Sequence, residues 1–493
     1  MLSIIRHEYI IKIQTVKKFI FLFLFCYSLS SFSQRIFEYR TTLSGSVATG
    51  KNLPMWATTS RYGIIPDSRN GLLHIGIFSD FNSQKKIQTA YGFASAGYLA
   101  EYKNNILIDE LYFSLKWLKV RLDLGMIHPK EEFNGISAHN GSFVASTNAR
   151  TMPGYNLHSE YIDIPLTKNI LSFKFNLSDY LMVDKRFVDN TRLHHKSLFF
   201  KITPHYQWEI IVGLGHWVEW AGTSPIYGKQ PGNFSDYMKI FMARNGGSGA
   251  TISDNLNALG NHLGSRYYRI NYTTEKYMLS GYWDNFFEDG KMTKILRNFP
   301  DGTYGLYYEA RNRKQWITDI IYEFTYSKYQ SGRYHDRPAT PEEMEKQDPN
   351  DYFYGRITLG GNDNYFNNGE YRSGWTYYGR TIGTPFITPC HPNADGIVLG
   401  VYNNRIIAHY LGIQGSVVHK MPYKLRLSYS LNYGTYNTPL ENTFHQFSFG
   451  AETTVLNRKE APFHIRIGIY GDYGKLYNRN TGLTICLIRK GII

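Results

Sequence analysis

Beyond residue 33 the chain has no stretch of eighteen apolar residues, so no helix in it is long and apolar enough to cross a bilayer. Any crossing must be made by strands closed into a barrel, the other fold that leaves no backbone group unpaired in lipid. Cysteine is scarce. Of three residues, Cys26 falls in the N-terminal segment, so Cys390 and Cys486 are the one pair that could bridge in an oxidising compartment. No Cys/His spacing fits a structural zinc site, so no metal and no cofactor is expected. Runs of like charge are missing too. The net charge of +14 is spread singly along the strands, which argues against nucleic acid and favours an acidic glycan or lipopolysaccharide phosphates. Nothing repeats beyond the strand period.

Aromatic residues are abundant: 41 Tyr, 30 Phe and 8 Trp make 16% of 493 residues. With a mean hydropathy of −0.37, the composition is too polar for a bundle of membrane helices. It suits strands that turn one face to lipid and the other to water. Residues 17–33, KKFIFLFLFCYSLSSFS, place two lysines before a short apolar run and small polar residues, the layout of a secretory signal peptide. The expectation is a signal peptide over 1–33 and one outer-membrane barrel domain over 34–493.

Period-two alternation recurs along that domain. Leu118, Val120, Leu122, Leu124 and Met126 alternate with Lys119, Arg121, Asp123 and Gly125; Leu425, Leu427, Tyr429, Leu431 and Tyr433 alternate with Lys424, Arg426, Ser428, Ser430 and Asn432. Such patterns predict about eighteen strands, near 36–48, 71–82, 87–102, 105–116, 118–128, 157–166, 169–181, 195–205, 207–220, 263–274, 276–288, 303–311, 314–327, 402–419, 422–436, 442–457, 461–473 and 481–489. Long connections follow odd strands at 49–70, 129–156, 182–194, 221–262, 289–302 and 328–401, although the third strand is followed by a short one. The fold class is therefore all-β: a transmembrane antiparallel β-barrel of about 18 strands with short periplasmic turns and long extracellular loops. Two loops carry helix signals: Phe234 to Arg244, with Ser235 as cap, and Thr340-Pro341-Glu342-Glu343, a capping box with proline at the first helical position.

Several motifs resemble the Wzi-type capsule assembly proteins of Gram-negative outer membranes. They are Leu53-Pro54-Met55-Trp56 before Arg61-Tyr62-Gly63, Ser146-Thr147-Asn148-Ala149-Arg150 with Met152-Pro153, and Gly361-Asn362-Asp363-Asn364-Tyr365-Phe366 running to Gly374-Trp375, Gly379-Arg380 and Gly383-Thr384-Pro385-Phe386. The resemblance implies an eighteen-stranded, lectin-like and non-enzymatic barrel that attaches capsular polysaccharide to the cell. One departure is the ending Arg489-Lys490-Gly491-Ile492-Ile493, where barrel proteins commonly finish on an aromatic residue.

The richest candidate for ligand chemistry is 360–386, GGNDNYFNNGEYRSGWTYYGRTIGTPF, with almost no aliphatic residue. Sugar recognition takes flat aromatic faces and polar groups in fixed geometry. Trp375, Tyr377 and Tyr378 could stack; Asp363, Asn364 and Glu370 could meet hydroxyls; Arg372 and Arg380 could grip acidic substituents. Asn148 and Arg150, in the loop after the fifth strand, join this set. The bland alternative is that the same residues only tie an inward-folded loop to the barrel wall. Trp217 and Trp220 beside Glu219 read as interfacial girdle residues at a strand end, and His194-His195 as an exposed pair. No serine–histidine or carboxylate pair is singled out by spacing, so no enzyme is expected. The leading expectation is an outer-membrane, monomeric binder of capsular or exopolysaccharide, in contact with outer-membrane lipid and lipopolysaccharide. A porin-like channel for anionic solutes or sugars is the alternative.

Overall fold

Alternating strands have only one stable use for a lipid-facing apolar row and a water-facing polar row, and the chain adopts it. The computed structural model describes residues 36–493 except 83, 247–258, 289–297, 331–336, 352–353, 358, 360–362, 418–420 and 457–461. The expected signal peptide and the head of the 360–386 stretch lie outside the described residues.

Eighteen strands, numbered β1–β18 along the chain, form the barrel wall: Phe37–Ala48, Asn70–Ser79, Ile87–Ala100, Asn104–Trp117, Val120–Met126, a broken sixth strand (Gly154–Ser159 with Ile162–Asp163), Leu171–Leu181, Arg192–His205, Trp208–Trp220, Asn261–Thr273, Tyr277–Glu288, Gly302–Ala310, Asp319–Tyr326, Ile406–Val417, Met421–Gly434, Pro439–Leu456, His464–Gly474 and Asn480–Ile492. Every neighbouring pair is antiparallel, and β1 pairs with β18 from Glu38 opposite Ile492 to Ala48 opposite Gly482, so the sheet closes. The wall is inside-out compared with a soluble protein. On β15 Leu427 and Tyr429 are 38% and 40% exposed, while Arg426, Ser428 and Ser430 are buried. Leu43, Ile75, Ile108, Leu198, Ile270, Leu279 and Ile485 continue the exposed apolar belt, which only a lipid surround makes favourable.

The strand expectations match in number and order. β13 begins at Asp319, later than expected, because 311–318 fold back as a turn in which Arg313 and Thr318 hold the Asp319 carboxylate at 2.5 and 2.7 Å. β14 begins at Ile406 because Val401–Asn403 pairs instead with Thr388–Pro389. The two helices also form. Phe234–Phe241 takes its capping box from Asn233 and Asp236, so its N-cap lies two residues before the expected Ser235; Pro341–Met344 uses Thr340 and Glu343. Cys390 and Cys486 are both free, one in the longest loop and one on the inner wall of β18. That pair makes no disulfide.

Connections such as 118–119, 206–207 and 274–276 turn tightly at one rim, whereas 49–69, 127–153, 221–260 and 327–405 leave the other. Three of these long loops fold into the lumen. Their backbone donors lack strand partners, and buried donors must be satisfied, so inward carboxylates of the wall accept them. Met55 N donates to Asp472 Oδ2 at 2.9 Å, Ala138 N to Glu323 Oε2 at 2.9 Å and Phe143 N to Asp284 Oδ2 at 2.6 Å. Gln330 N and Tyr365 Oη donate to Asp301 Oδ2 at 2.6 and 2.7 Å. Asn134 Nδ2 reaches Asp319 Oδ1 at 2.7 Å. Because Asp319 opens β13 at the tight-turn rim, the 127–153 loop runs the length of the lumen.

Candidate functional site

The core of the plug is aromatic. Phe143 stacks on Phe286 of β11 with centroids 3.6 Å apart, Tyr365 meets Phe286 edge-on, and Phe366 leans on Phe143. Trp375 is fully buried in this cluster, and its Nε1 donates to Val144 O at 2.7 Å. Tyr377 is buried beside it. Of the three rings expected to stack on sugar, the fold therefore uses Trp375 and Tyr377 as packing between loops, with their faces covered.

Tyr378 differs. Thr376–Tyr377 pairs with Arg380–Thr381, leaving Tyr378 and Gly379 as a two-residue turn with φ of 49° and 79°. Positive φ at both central residues is the requirement of a type I′ turn, which favours Asn-Gly. A tyrosine in the first position is strained by roughly 1–2 kcal/mol, and such outliers concentrate where function needs them. The turn projects the ring to 45% exposure. The Arg150 guanidinium lies over it at 4.2 Å, and Tyr378 N donates to Asp184 Oδ2 at 3.2 Å. Partial burial raises the Tyr378 phenol above its ordinary range, so it stays a neutral hydrogen-bonding group.

The other candidates divide between rim and frame. Arg372 is exposed, its guanidinium 5.0 Å over Phe187 and its Nε bonded to Gly369 O. Arg380, half-buried, is held by Asp67 Oδ1 at 2.6 Å and Ile65 O at 3.1 Å. Asn148 joins loops: its Nδ2 donates to Thr381 O and Oγ1, and its Oδ1 accepts from Ser60 N. Asn364 Oδ1 accepts from Asn404 Nδ2 at 2.6 Å. Glu370 is buried and Asp363 half-buried. Tyr378 and Arg372 thus meet the 182–191 connection through Asp184 and Phe187, and Arg150 joins them over the Tyr378 ring. Those two supports were outside the expected set; Asp184-Lys185-Arg186-Phe187, charged and aromatic in a long-rim connection, was the available signal.

Two expectations are corrected. Trp217 and Trp220 are buried, not lipid-facing girdle residues. Trp217 points into the lumen and stacks on His195 at 4.4 Å, while Trp220 sits on the outer wall under Tyr237 of the Phe234–Phe241 helix, its Nε1 bonded to Asp179 Oδ2 at 3.0 Å. Glu219, between them, is fully buried and bridges Arg186 at 2.5 Å and Asn261 Nδ2 at 2.7 Å. His194 and His195 are not an exposed pair: they belong to β8, His194 covered by the same helix and His195 by Trp217.

No protein-family model matches the chain, and no curated protein does. Among solved structures, Wzi of Escherichia coli, an outer-membrane protein involved in group 1 capsule assembly and described as a carbohydrate-binding β-barrel, matches with a TM-score of 0.55. The identity is 12%, over 91% of this chain and 83% of that one. OccK3 (OpdO) of Pseudomonas aeruginosa matches with a TM-score of 0.47 at 9% identity over 93% and 96%. OprD of the same organism gives 0.46 at 8% over 93% and 96%. At these identities the likeness to Wzi is one of fold, that of an outer-membrane barrel.

Proposed function

We propose that this chain is a non-enzymatic, monomeric protein of the Gram-negative outer membrane that binds an acidic capsular or exopolysaccharide and holds it at the cell surface, as a Wzi-type capsule assembly protein would. The apolar belt meets outer-membrane lipid and lipopolysaccharide, and the long-loop rim faces outward after export. The observation that carries the reading is the rim cluster: an exposed tyrosine held in a strained turn, with Arg150 over its ring and Arg372 on the same supporting loop. A pyranose presents an apolar face to the ring, and its carboxylate takes a guanidinium. Trp375, Tyr377, Asn148, Asn364, Asp363 and Glu370 set the turn in place, and Arg380 fixes it to the 49–69 loop. The barrel sharing this fold, Wzi, is described as carbohydrate-binding, which supports the same ligand class here. Three inward-folded loops favour a plugged binder over a channel.

The test is retention of the detergent-purified barrel on immobilised polygalacturonate beside dextran, with single-channel recording of the same preparation. Selective retention, weakened by more than about five-fold in a Tyr378→Ala, Arg372→Ala double variant, is the expected result. Retention unchanged in an assembled double variant would overturn the site. Porin-like conductance without retention would overturn the binder and establish a channel.

A further inference from the structure

We propose that Asp109, Glu110 and His128 form a divalent-cation site of the class that zinc occupies, which ties the start of the plug to the barrel wall. In a regular strand two consecutive carboxylates point to opposite faces. β4 escapes this rule. Its pairing with β3 passes from Ala94 opposite Glu110 to Ser95 opposite Ile108, leaving Asp109 as the extra residue of a β-bulge. Asp109 and Glu110 are therefore both buried on the lumen side, while Ile108 stays in the exposed belt.

His128, two residues past the end of β5, comes down on this pair. Its Nε2 lies 2.9 Å from Asp109 Oδ1, its Nδ1 3.6 Å from Glu110 Oε2, and its backbone N donates to Glu110 Oε1 at 2.9 Å. One ligand atom from each of the three residues lies within 4.8 Å of the others. His74 of β2 approaches from the other side, Nε2 2.9 Å from Asp109 Oδ2. The His128 ring is fixed by Tyr62, stacked at 3.7 Å and 5°, and Tyr62 Oη donates to Glu131 Oε1 at 3.2 Å. Imidazole with carboxylates is the donor set of zinc and similar first-row ions, whereas magnesium and calcium prefer oxygen alone. A divalent ion would also offset the proximity of two carboxylates confined to one pocket. The imidazoles are about one-fifth exposed, at 20% and 21%, so an ion can enter from the lumen. Bound there, it would link β2 and β4 to the 127–153 loop and, through Tyr62, to the 49–69 loop.

The experiment is calorimetric titration of the full-length, detergent-purified barrel with Zn²⁺ and with Mg²⁺ after chelator treatment and its removal, beside the visible spectrum of the Co²⁺-loaded protein. One zinc per chain is expected, with Mg²⁺ much weaker. His128→Ala should weaken zinc by more than about ten-fold, and so should Asp109→Asn, while His445→Ala on the exposed wall should leave it unchanged. Where Asp109→Asn fails to assemble, His128→Gln, which keeps both wall carboxylates, carries the comparison, with resistance of the unheated barrel to dodecyl sulfate as the check on assembly. Wild-type protein that takes up no zinc, assembled His128 variants that bind it unchanged, or a preference for Mg²⁺ would each overturn the assignment.

Discussion

Two neighbours in the longest loop, Tyr377 and Tyr378, meet opposite fates. Tyr377 is buried with Tyr365, Phe366, Tyr371 and Trp375, while Tyr378 stands out at the rim. The difference lies in the backbone. On the buried side the chain pairs with the 127–153 loop, Ser146 N to Ile382 O and Thr384 N to Phe143 O, and with itself, Trp375 N to Phe366 O. Close approach requires glycine: a Cβ on Gly383 would stand 2.2 Å from Phe143 O, and one on Gly374 2.2 Å from Phe366 O. At Tyr378 pairing ends in a turn of positive φ, and the ring is turned away. Aromatic residues among glycines and asparagines thus mark interior packing wherever the backbone finds a partner, and a surface only where it reverses.

The largest test of this contrast is Trp375→Ala. Removing a fully buried indole from the Phe143–Phe286–Phe366 cluster should cost the plug about 3–5 kcal/mol, read as faster proteolysis of the 327–405 loop in an otherwise assembled barrel. Loss of polygalacturonate retention with no change in proteolysis would make Trp375 a ligand contact and break the contrast.

Tyr378→Asn sharpens it from the other side. Asn-Gly is the preferred pair for this turn, so the variant should protect the loop by about 1 kcal/mol more than wild type. Polygalacturonate retention should nevertheless fall about five-fold, the loss of one stacking contact. A variant better ordered and weaker in binding would show strain retained for the ligand; one with unchanged retention would leave the turn a structural outlier alone.

The wall was legible in the sequence because alternation is local: each apolar row on β5 or β15 declares its own face without knowledge of its neighbour. The loop asymmetry and the Thr340–Glu343 capping box were legible for the same reason, whereas the cap of the Phe234–Phe241 helix was read at Ser235 and lies at Asn233. The plug was not. Whether Trp375 meets sugar or Val144 depends on a loop 231 residues away in sequence, and no composition carries that register. The buried state of Trp217 and Trp220 was hidden likewise, since it takes the Phe234–Phe241 helix folding back over the outer wall and the lumen filling with other loops. Asp109 and Glu110 were concealed by a bulge, which suspends the period that made the rest of β4 readable.

The smallest effect concerns how the plug responds to acid. His139 lies in the 127–153 loop, fully buried, with Nε2 3.0 Å from Thr325 Oγ1 of β13 and 3.4 Å from Thr384 Oγ1 of the 327–405 loop. Burial lowers its pKa below 6.5, against the opposing pull of Glu323. In the folded plug the ring is neutral, while an unfolded loop takes up a proton near 6.5. Its contribution is therefore complete above that pH and declines as pH falls toward the depressed folded value. Between about pH 7 and about pH 6 the loss for one such group is at most about 0.7 kcal/mol. Proteolytic protection of the plug in wild type should fall by up to that amount more than in His139→Gln, whose amide keeps a hydrogen-bonding group but does not titrate. The other histidines, the buried His194 and His262 among them, are common to both proteins and cancel in the difference. Equal losses in the two would mean that His139 carries its proton inside the plug, and the packed half of the contrast would then contain a charge that Glu323, not burial, controls.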